Sequence, residues 1–285
     1  MMFVRTDIFE ELGLEPPETW DDVYEIIVTL GMNNMQFGFS TIGTTPDISA
    51  FAMLLYQHGG EFYTEDGRAS ALDSQIALET FQEWTQFYLS YDTPVQHDFA
   101  NRFRTGEMPI AVVDLAQYNQ LSVFAPEIKG LWKIYPVPGT KKEDGSVDHS
   151  AASTGTACVI MKDSEVQDEA WEFLRWWTQT DTQSSYAREL ENVLGIAARH
   201  FTANKEAVEQ ISWNHEEYNS LMSQWEYLKG IPECPGSYIM PRYVDFAFKA
   251  VVNEKRDAGQ QLLQYVSQIN DEIDRKRKEF GVDDE

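Results

Sequence analysis

The stretch Ser153-Thr-Gly-Thr-Ala-Cys-Val-Ile-Met161, followed across a short acidic loop by Trp171-Glu-Phe-Leu-Arg-Trp-Trp-Thr-Gln-Thr-Asp-Thr-Gln-Ser184, decides how this chain reads. A small-residue turn leads into a short apolar run, read as a strand. A helix over Glu169 to Thr178 follows, with Ala170, Phe173, Leu174 and Trp177 on one stripe and Trp171 and Trp176 on its flanks. Short strands joined to longer amphipathic helices define an α/β fold.

The same alternation continues on both sides. Upstream, Pro109 opens the apolar run Ile110 to Val113, short enough for a core strand. Leu131 to Gly139 ends in two prolines that keep the backbone extended, and the polar stretch Gly139 to Ser150 reads as an exposed hairpin or loop. Nearer the start, Thr19 lies three residues before Asp22 in an N-cap pattern, and Val23, Ile26, Ile27 and Leu30 share one helical face. Phe37 to Ile42 reads as a strand, Ile48 to Tyr56 as a buried helix stopped at Gly59-Gly60, and Ala77, Phe81, Trp84 and Tyr88 as the apolar side of another helix. Downstream, Lys205 to Lys229 reads as helical, Cys234-Pro-Gly236 as a break, and Tyr243 to Val252 as a further helix. Leu262, Val266, Ile269 and Ile273 mark the last helix, whose basic end Arg275-Lys-Arg-Lys278 suits the negative helix terminus. There is no internal repeat and no low-complexity segment.

Composition bounds the function. With 285 residues, 42% hydrophobic, and eight Trp, the chain can bury a real core of one large or two smaller domains. The net charge of -25 repels phosphate backbones and anionic lipid, which argues against nucleic-acid and membrane-surface binding and leaves neutral or cationic solutes as partners. Cys158 and Cys234 lack metal or redox spacing, and Cys158, inside an apolar run, reads as a buried free thiol. No apolar run approaches the roughly 18 residues of a membrane span, and the start of the chain lacks the pattern of a signal peptide.

Chemistry is hard to find. His58, His97, His149, His200 and His215 form no paired metal motif, so neither a metal nor a cofactor is expected. No nucleophile elbow and no phosphate cradle occurs. The 47 acids offer carboxylate pairs to a glycosidase, whose two carboxyls must face each other about 5 to 10 Å apart, a spacing that only a structure gives.

Five segments carry a resemblance. Phe3-Val-Arg-Thr-Asp-Ile-Phe-Glu-Glu-Leu-Gly-Leu-Glu-Pro-Pro-Glu-Thr-Trp-Asp-Asp22, His58-Gly-Gly60 with Asp66-Gly67, Thr105-Gly-Glu-Met-Pro-Ile-Ala-Val112, the Ser153 to Ser184 stretch, and Val193-Leu-Gly-Ile-Ala-Ala-Arg199 occur in the order found in the extracellular solute-binding proteins of ABC importers, family 1. The chain resembles that mostly carbohydrate-binding family over nearly all its length. The resemblance implies a periplasmic-binding-protein-like α/β fold of class II: two lobes with mixed sheets flanked by helices, the first lobe incomplete. Residues 1–126 and 192–285 would form a nearly complete second lobe, and 127–191 hinge strands and a remnant of the first. It further implies capture of a sugar or oligosaccharide outside the cell, without catalysis or cofactor, for ABC permease subunits. The Phe3 to Asp22 signature normally lies on the order of one hundred residues into such a domain. The chain is therefore expected to begin within a longer precursor that carries a lipid anchor on the cell surface. The unmatched faces of the short lobe suggest a homodimer. The rival expectations are a carbohydrate-active enzyme using paired carboxylates and an interaction module completed by a partner segment.

Sugars present apolar ring faces and many hydroxyls, so their sites pair flat aromatic surfaces with carboxylates, amides and main-chain groups on loops at strand ends. Four places have that composition. Asp114-Leu-Ala-Gln-Tyr118 follows the strand Ile110 to Val113. The family usually has Gly-x-Trp there; Asp114 and Ala116 replace both, and Tyr118 offers a ring instead. In Thr44-Thr-Pro-Asp47-Ile-Ser49, Asp47 and Ser49 are either ligand contacts or helix caps. Ser153-Thr154-Gly155 keeps one glycine of a pair that exposes backbone to ligand in the family. Finally, Tyr238, Arg242 and Tyr243 offer rings and a forked donor at a proline-bounded loop, with packing or an ion pair as the alternative for Arg242. Trp84, Trp171 and Trp177 read as core; Trp213 and Trp225, among polar residues, line a cleft or cover a surface.

Overall fold

The structure, a computed structural model, describes residues 1–43 and 45–282. Thr44, in the loop before Asp47, lies outside the described residues. The first half runs β1 (Met2–Arg5), α1 (Thr6–Leu12), α2 (Trp20–Met32), β2 (Phe37–Phe39), the small hairpin β3 (Thr41–Ile42) and β4 (Thr45–Pro46), α3 (Ile48–Gln57), α4 (Gln75–Leu89), α5 (Phe99–Thr105), β5 (Ile110–Val112) and α6 (Gln117–Phe124). The second half runs β6 (Trp132–Tyr135), the hairpin β7 (Thr140–Lys141) and β8 (Val147–Asp148), β9 (Ala151–Ala152), α7 (Gln167–Trp177), α8 (Thr180–Leu194), α9 (Lys205–Val208), α10 (His215–Trp225), β10 (Leu228–Lys229), α11 (Met240–Glu254) and α12 (Ala258–Phe280).

A four-stranded mixed sheet in the order β2-β5-β1-β6 organises the molecule. β2 and β5 are parallel, while β1 runs antiparallel to both β5 and β6 with Phe3 opposite Ala111 and Ile134. Every residue of β1 is buried and its alternate side chains go to opposite faces; Met2, Phe3 and Val4 are apolar, and Arg5 is buried paired with Asp7. Met2 and Val4 enter the larger core, built with Phe37, Phe39, Ile110 and the inner faces of α2, α3, α4, α11 and α12. Phe3 enters a smaller core with Phe99, Phe103, Ala111 and Ile134, covered by α5 and α6. One strand thus fixes two layers.

The local signals explain the boundaries. Thr19 and Asp22 form a complete capping box at α2, and Val23, Ile26, Ile27 and Leu30 are its buried face. Asp47 caps α3, and Ser74 caps α4. The expected helix over Lys205 to Lys229 is instead two, α9 and α10, because Asn204 and Asn214 each cap a fresh start and the chain turns between them. At the break before α11, Gly236 has φ of 90°, and a Cβ there would meet the Glu272 carbonyl oxygen at 2.8 Å. Only glycine lets the loop lie against α12.

The quoted apolar run departs from expectation. β9 pairs with β10 in a two-residue parallel ladder, and beyond Ala152 the segment 153–160 forms no ladder at all. Strand structure needs a neighbour for its backbone groups; the Ser153 N–H still donates to the Lys229 carbonyl (2.8 Å), and beyond it no strand among the described residues pairs with 154–160. Val159 and Met161 are exposed, and so is the Cys158 thiol that the apolar context placed inside. In α7 only Ala170, Leu174 and Trp177 are even half-buried; Phe173, Trp171 and Trp176 are exposed. The stripe is right in its period and wrong in its depth, because α8, the main element packed against α7, covers only part of it. Among the described residues no helix is long and apolar enough to cross a membrane.

Candidate functional site

β2 and β5 run in the same direction, and both end at a large cavity of about 1410 Å³. Such crevices outside the carboxyl ends of parallel strands are where α/β folds bind ligands. Beyond β2 lies Ser40; beyond β5 lies Asp114. The Asp114 backbone N–H donates to the Ser40 hydroxyl (3.0 Å), and the Asp47 N–H donates to the Ser40 carbonyl (2.8 Å), so the two strand ends and the start of α3 are tied together. Each carboxylate is itself fixed: Asp47 accepts from the Ser49 N–H at 2.9 Å and Asp114 from the Ala116 N–H at 2.7 Å. Each keeps further lone pairs for a ligand. Asp47 and Asp114 also border a smaller polar hollow of about 360 Å³ beside the cavity, with Ser40, His97 and Gln117 in its wall.

The opposite wall comes from the second half of the chain. Ser153, Thr154 and Gly155 line it, directly after β9, and so do Trp171 and Trp177 of α7 and the segment His200 to Asn204. Buried Gln183 of α8 organises that segment: its Nε2 donates to the Trp177 carbonyl (2.7 Å), and its Oε1 accepts from the Thr202 hydroxyl (2.8 Å) and lies 3.2 Å from His200 Nε2. Burial holds His200 below the ordinary histidine range, so its imidazole is neutral at neutral pH. Trp213, Trp225 and Phe201 complete the lining, and Phe201 and Trp213 stack on one another at 6.1 Å. Among the described residues no group of three His, Cys, Asp or Glu is placed to hold a metal ion.

Six of the residues named from the sequence, Asp47, Ser49, Asp114, Ser153, Thr154 and Gly155, therefore meet at one cavity although they span more than a hundred positions. The other four lie elsewhere. Tyr118 is only 6% exposed; its hydroxyl donates to Glu217 (2.7 Å), and its ring meets Trp132 and Trp213 edge-on at 5.3 and 5.1 Å. Burial, and then the Glu217 carboxylate, raise its phenol above the usual range. It sits one layer behind Trp213, not in the lining. Tyr238, in the turn before α11, and Tyr243 of α11 pack on α12 away from the cavity: the Tyr238 hydroxyl donates to Glu272, and Tyr243 stacks on Tyr265 at 5.4 Å; Arg242, in the first turn of α11, is exposed and also lies outside the lining.

The rings that do line the cavity include Trp171 and Trp177, which helical periodicity had placed in the core. Trp171 is 57% exposed. Trp213 and Trp225, which the sequence leaves open between cleft and surface, also belong to the lining.

A mixed α/β sheet flanked by helices, with a wide cavity of rings and carboxylates at its strand ends, defines a binding protein of the periplasmic type. The model of the bacterial extracellular solute-binding protein family matches residues 1–184, and the chain belongs to that family. Solved structures share the fold at low identity. The sugar-binding protein MalE of Xanthomonas citri superposes with a TM-score of 0.80 at 13% identity, covering 99% of this chain and 70% of its own. An ABC transporter solute-binding protein of Thermotoga lettingae with α-D-tagatose bound gives 0.75 at 17%, covering 96% and 70%. The substrate-binding protein Lmo0181 of Listeria monocytogenes in complex with cycloalternan gives 0.67 at 15%, covering 95% and 68%. The chain thus spans about 70% of the length of these relatives. No curated protein matches it.

Proposed function

We propose that this chain captures a sugar or oligosaccharide in the cleft and delivers it to the permease subunits of an ABC importer, without turning it over. One observation carries the reading: a single cavity combines the flat rings of Trp171, Trp177, Phe201 and Trp213 with the carboxylates of Asp47 and Asp114 and the small polar turn Ser153 to Gly155. Rings stack on the apolar faces of a sugar, and the carboxylates accept from its hydroxyls. Sugars bound to proteins of the same fold support the choice. Residues 1–126 with 192–285 act as one lobe and 127–191 as the hinge and part of the other, and closure of the two on the solute gives the form that the permease recognises. The work is done outside the cell, with the protein held at the surface by a lipid anchor.

The test is a thermal-shift and calorimetric screen against mono- and oligosaccharides. A specific ligand at one hundred times its Kd stabilises the protein by about 2.7 kcal/mol. No stabilisation by any sugar, or hydrolysis of one, overturns the reading.

A second reading, compatible with the first, is favoured by α7. Phe173 and Trp176 are exposed on that helix, with Val159 and Met161 exposed on the segment before it. Exposed apolar groups of this number mark an interface, and a second copy of this chain covers them in a homodimer. Sedimentation equilibrium is expected to give a mass that rises with concentration, and Phe173→Glu to return it to 32.8 kDa. A monomer at all concentrations rejects the dimer.

A further inference from the structure

Arg199 is a buried, paired guanidinium that lies just outside the cavity lining. Its side chain is buried, with the residue 6% exposed. Nε and Nη2 form a fork onto Glu191 of α8 at 3.1 and 2.8 Å, and Nη2 also donates to the Ser212 carbonyl at 3.0 Å. The guanidinium centre stands 4.6 Å from the Trp213 ring and 5.3 Å from the Tyr118 ring of α6. Asn119, the next residue of α6, donates to the Arg199 carbonyl at 2.9 Å. One side chain therefore joins α8, α6 and the chain just before Trp213.

Two parts of the cavity wall depend on that junction. His200 to Asn204 follows Arg199 directly in the chain, and Trp213 is the ring against which the guanidinium lies. His200 to Asn204 contributes no buried apolar residue, whereas Ala207, Val208 and Ile211 beyond it are buried, so local packing anchors the later part of the wall and leaves the part next to Arg199 to its polar contacts. A planar fork that pairs a carboxylate and covers an aromatic face holds two directions at once, which a lysine ammonium cannot do.

We propose that Arg199 is a positioning residue of the solute cleft: it clamps the wall formed by His200 to Asn204 and Trp213 against α6 and α8, so that the rings of Trp213 and Phe201 stand ready for ligand. It touches no ligand itself. The wall's role in binding rests on the function proposed above, whereas the clamp is a property of the free protein.

The experiment is hydrogen exchange of the free full chain, comparing wild type with Arg199→Met, Arg199→Lys and Glu191→Gln. Amides of 200–213 are expected to lose about 100-fold protection in Arg199→Met, as a broken buried ion pair implies, while α4 and α12 keep theirs. Arg199→Lys retains the charge and is expected to restore about half of that loss on a logarithmic scale; Glu191→Gln falls between the two. Unchanged exchange at 200–213, or an equal loss in α4 and α12, overturns the clamp and leaves at most a general stabilising role. If Arg199→Met does not fold, the lysine and glutamine variants decide alone. Maltose binding provides the second arm: where wild type binds it, Arg199→Lys is expected to weaken it about tenfold, and unchanged affinity overturns the positioning role. If wild type binds no sugar, the functional proposal fails and the exchange result still decides the clamp.

Discussion

Replacing Trp84 by alanine is expected to destabilise the free protein by about 4 kcal/mol, seen as a lower urea midpoint with an unchanged slope. Trp84 belongs to α4, is buried, and stacks on Phe51 of α3 at 5.6 Å with 29° between the rings. On its other side Phe248 of α11 lies 4.7 Å away. Removing the indole opens a cavity at the point where three helices meet. Neighbouring rings such as Phe81 are themselves buried and already packed against Phe51, which limits how far the site collapses. Trp84 is not among the residues lining the cavity, so ligand affinity of the folded variant is expected to stay within about twofold, the scatter of additive distant changes. A loss below about 1 kcal/mol would show that the helices close over the gap.

Gln57→Leu is expected to cost about 3 kcal/mol and, unlike Trp84→Ala, to disturb the cleft. Gln57 is 0% exposed at the end of α3. Its Oε1 accepts from the Trp20 indole N–H (2.7 Å) and the Thr140 hydroxyl (3.0 Å), and its Nε2 donates to the carbonyls of Pro138 (3.0 Å) and Ser150 (3.1 Å). Leucine fits the volume but leaves these groups unpaired away from water, and each such orphan costs about 1 to 3 kcal/mol before relaxation. The Ser150 carbonyl is the last anchor before β9, and β9 delivers Ser153 to Gly155 to the cavity. Exchange at 150–155 is therefore expected to rise in Gln57→Leu and to stay unchanged in Trp84→Ala. Equal exchange in the two variants would show that the network stabilises the fold without steering the turn.

Both residues illustrate where information resides. Trp84 was legible: Ala77, Phe81, Trp84 and Tyr88 repeat at helical spacing, and such a stripe has one economical place to go. Gln57 was not, because a buried amide makes sense only once its four partners, drawn from α2, the loop before β7, β7 itself and the residue before β9, surround it. The cavity-lining residues divide in the same way. Asp47, Asp114 and Ser153 to Gly155 are legible as candidates because loops at the ends of short apolar strands are where crevices open. Trp171 and Trp177 were placed in the core because periodicity reports which side chains share a face, not what covers that face. Tyr118 was offered to a ligand for its position after β5, yet the Arg199 guanidinium and the rings of Trp132 and Trp213 enclose it.

The sequence by itself determined most of the alternation of strands and helices, the N-cap of α2 at Thr19 and Asp22, and the order of motifs that names the family, since each is set within a few residues by backbone and side-chain chemistry. Only the tertiary structure decided that 154–160 joins no strand, that α7 leaves Trp171, Phe173 and Trp176 exposed, and that a buried arginine far from the first strand lies against one wall of the cleft. Those outcomes depend on which neighbour arrives to satisfy a backbone group, cover a ring or pair a charge, and that neighbour is distant in the chain.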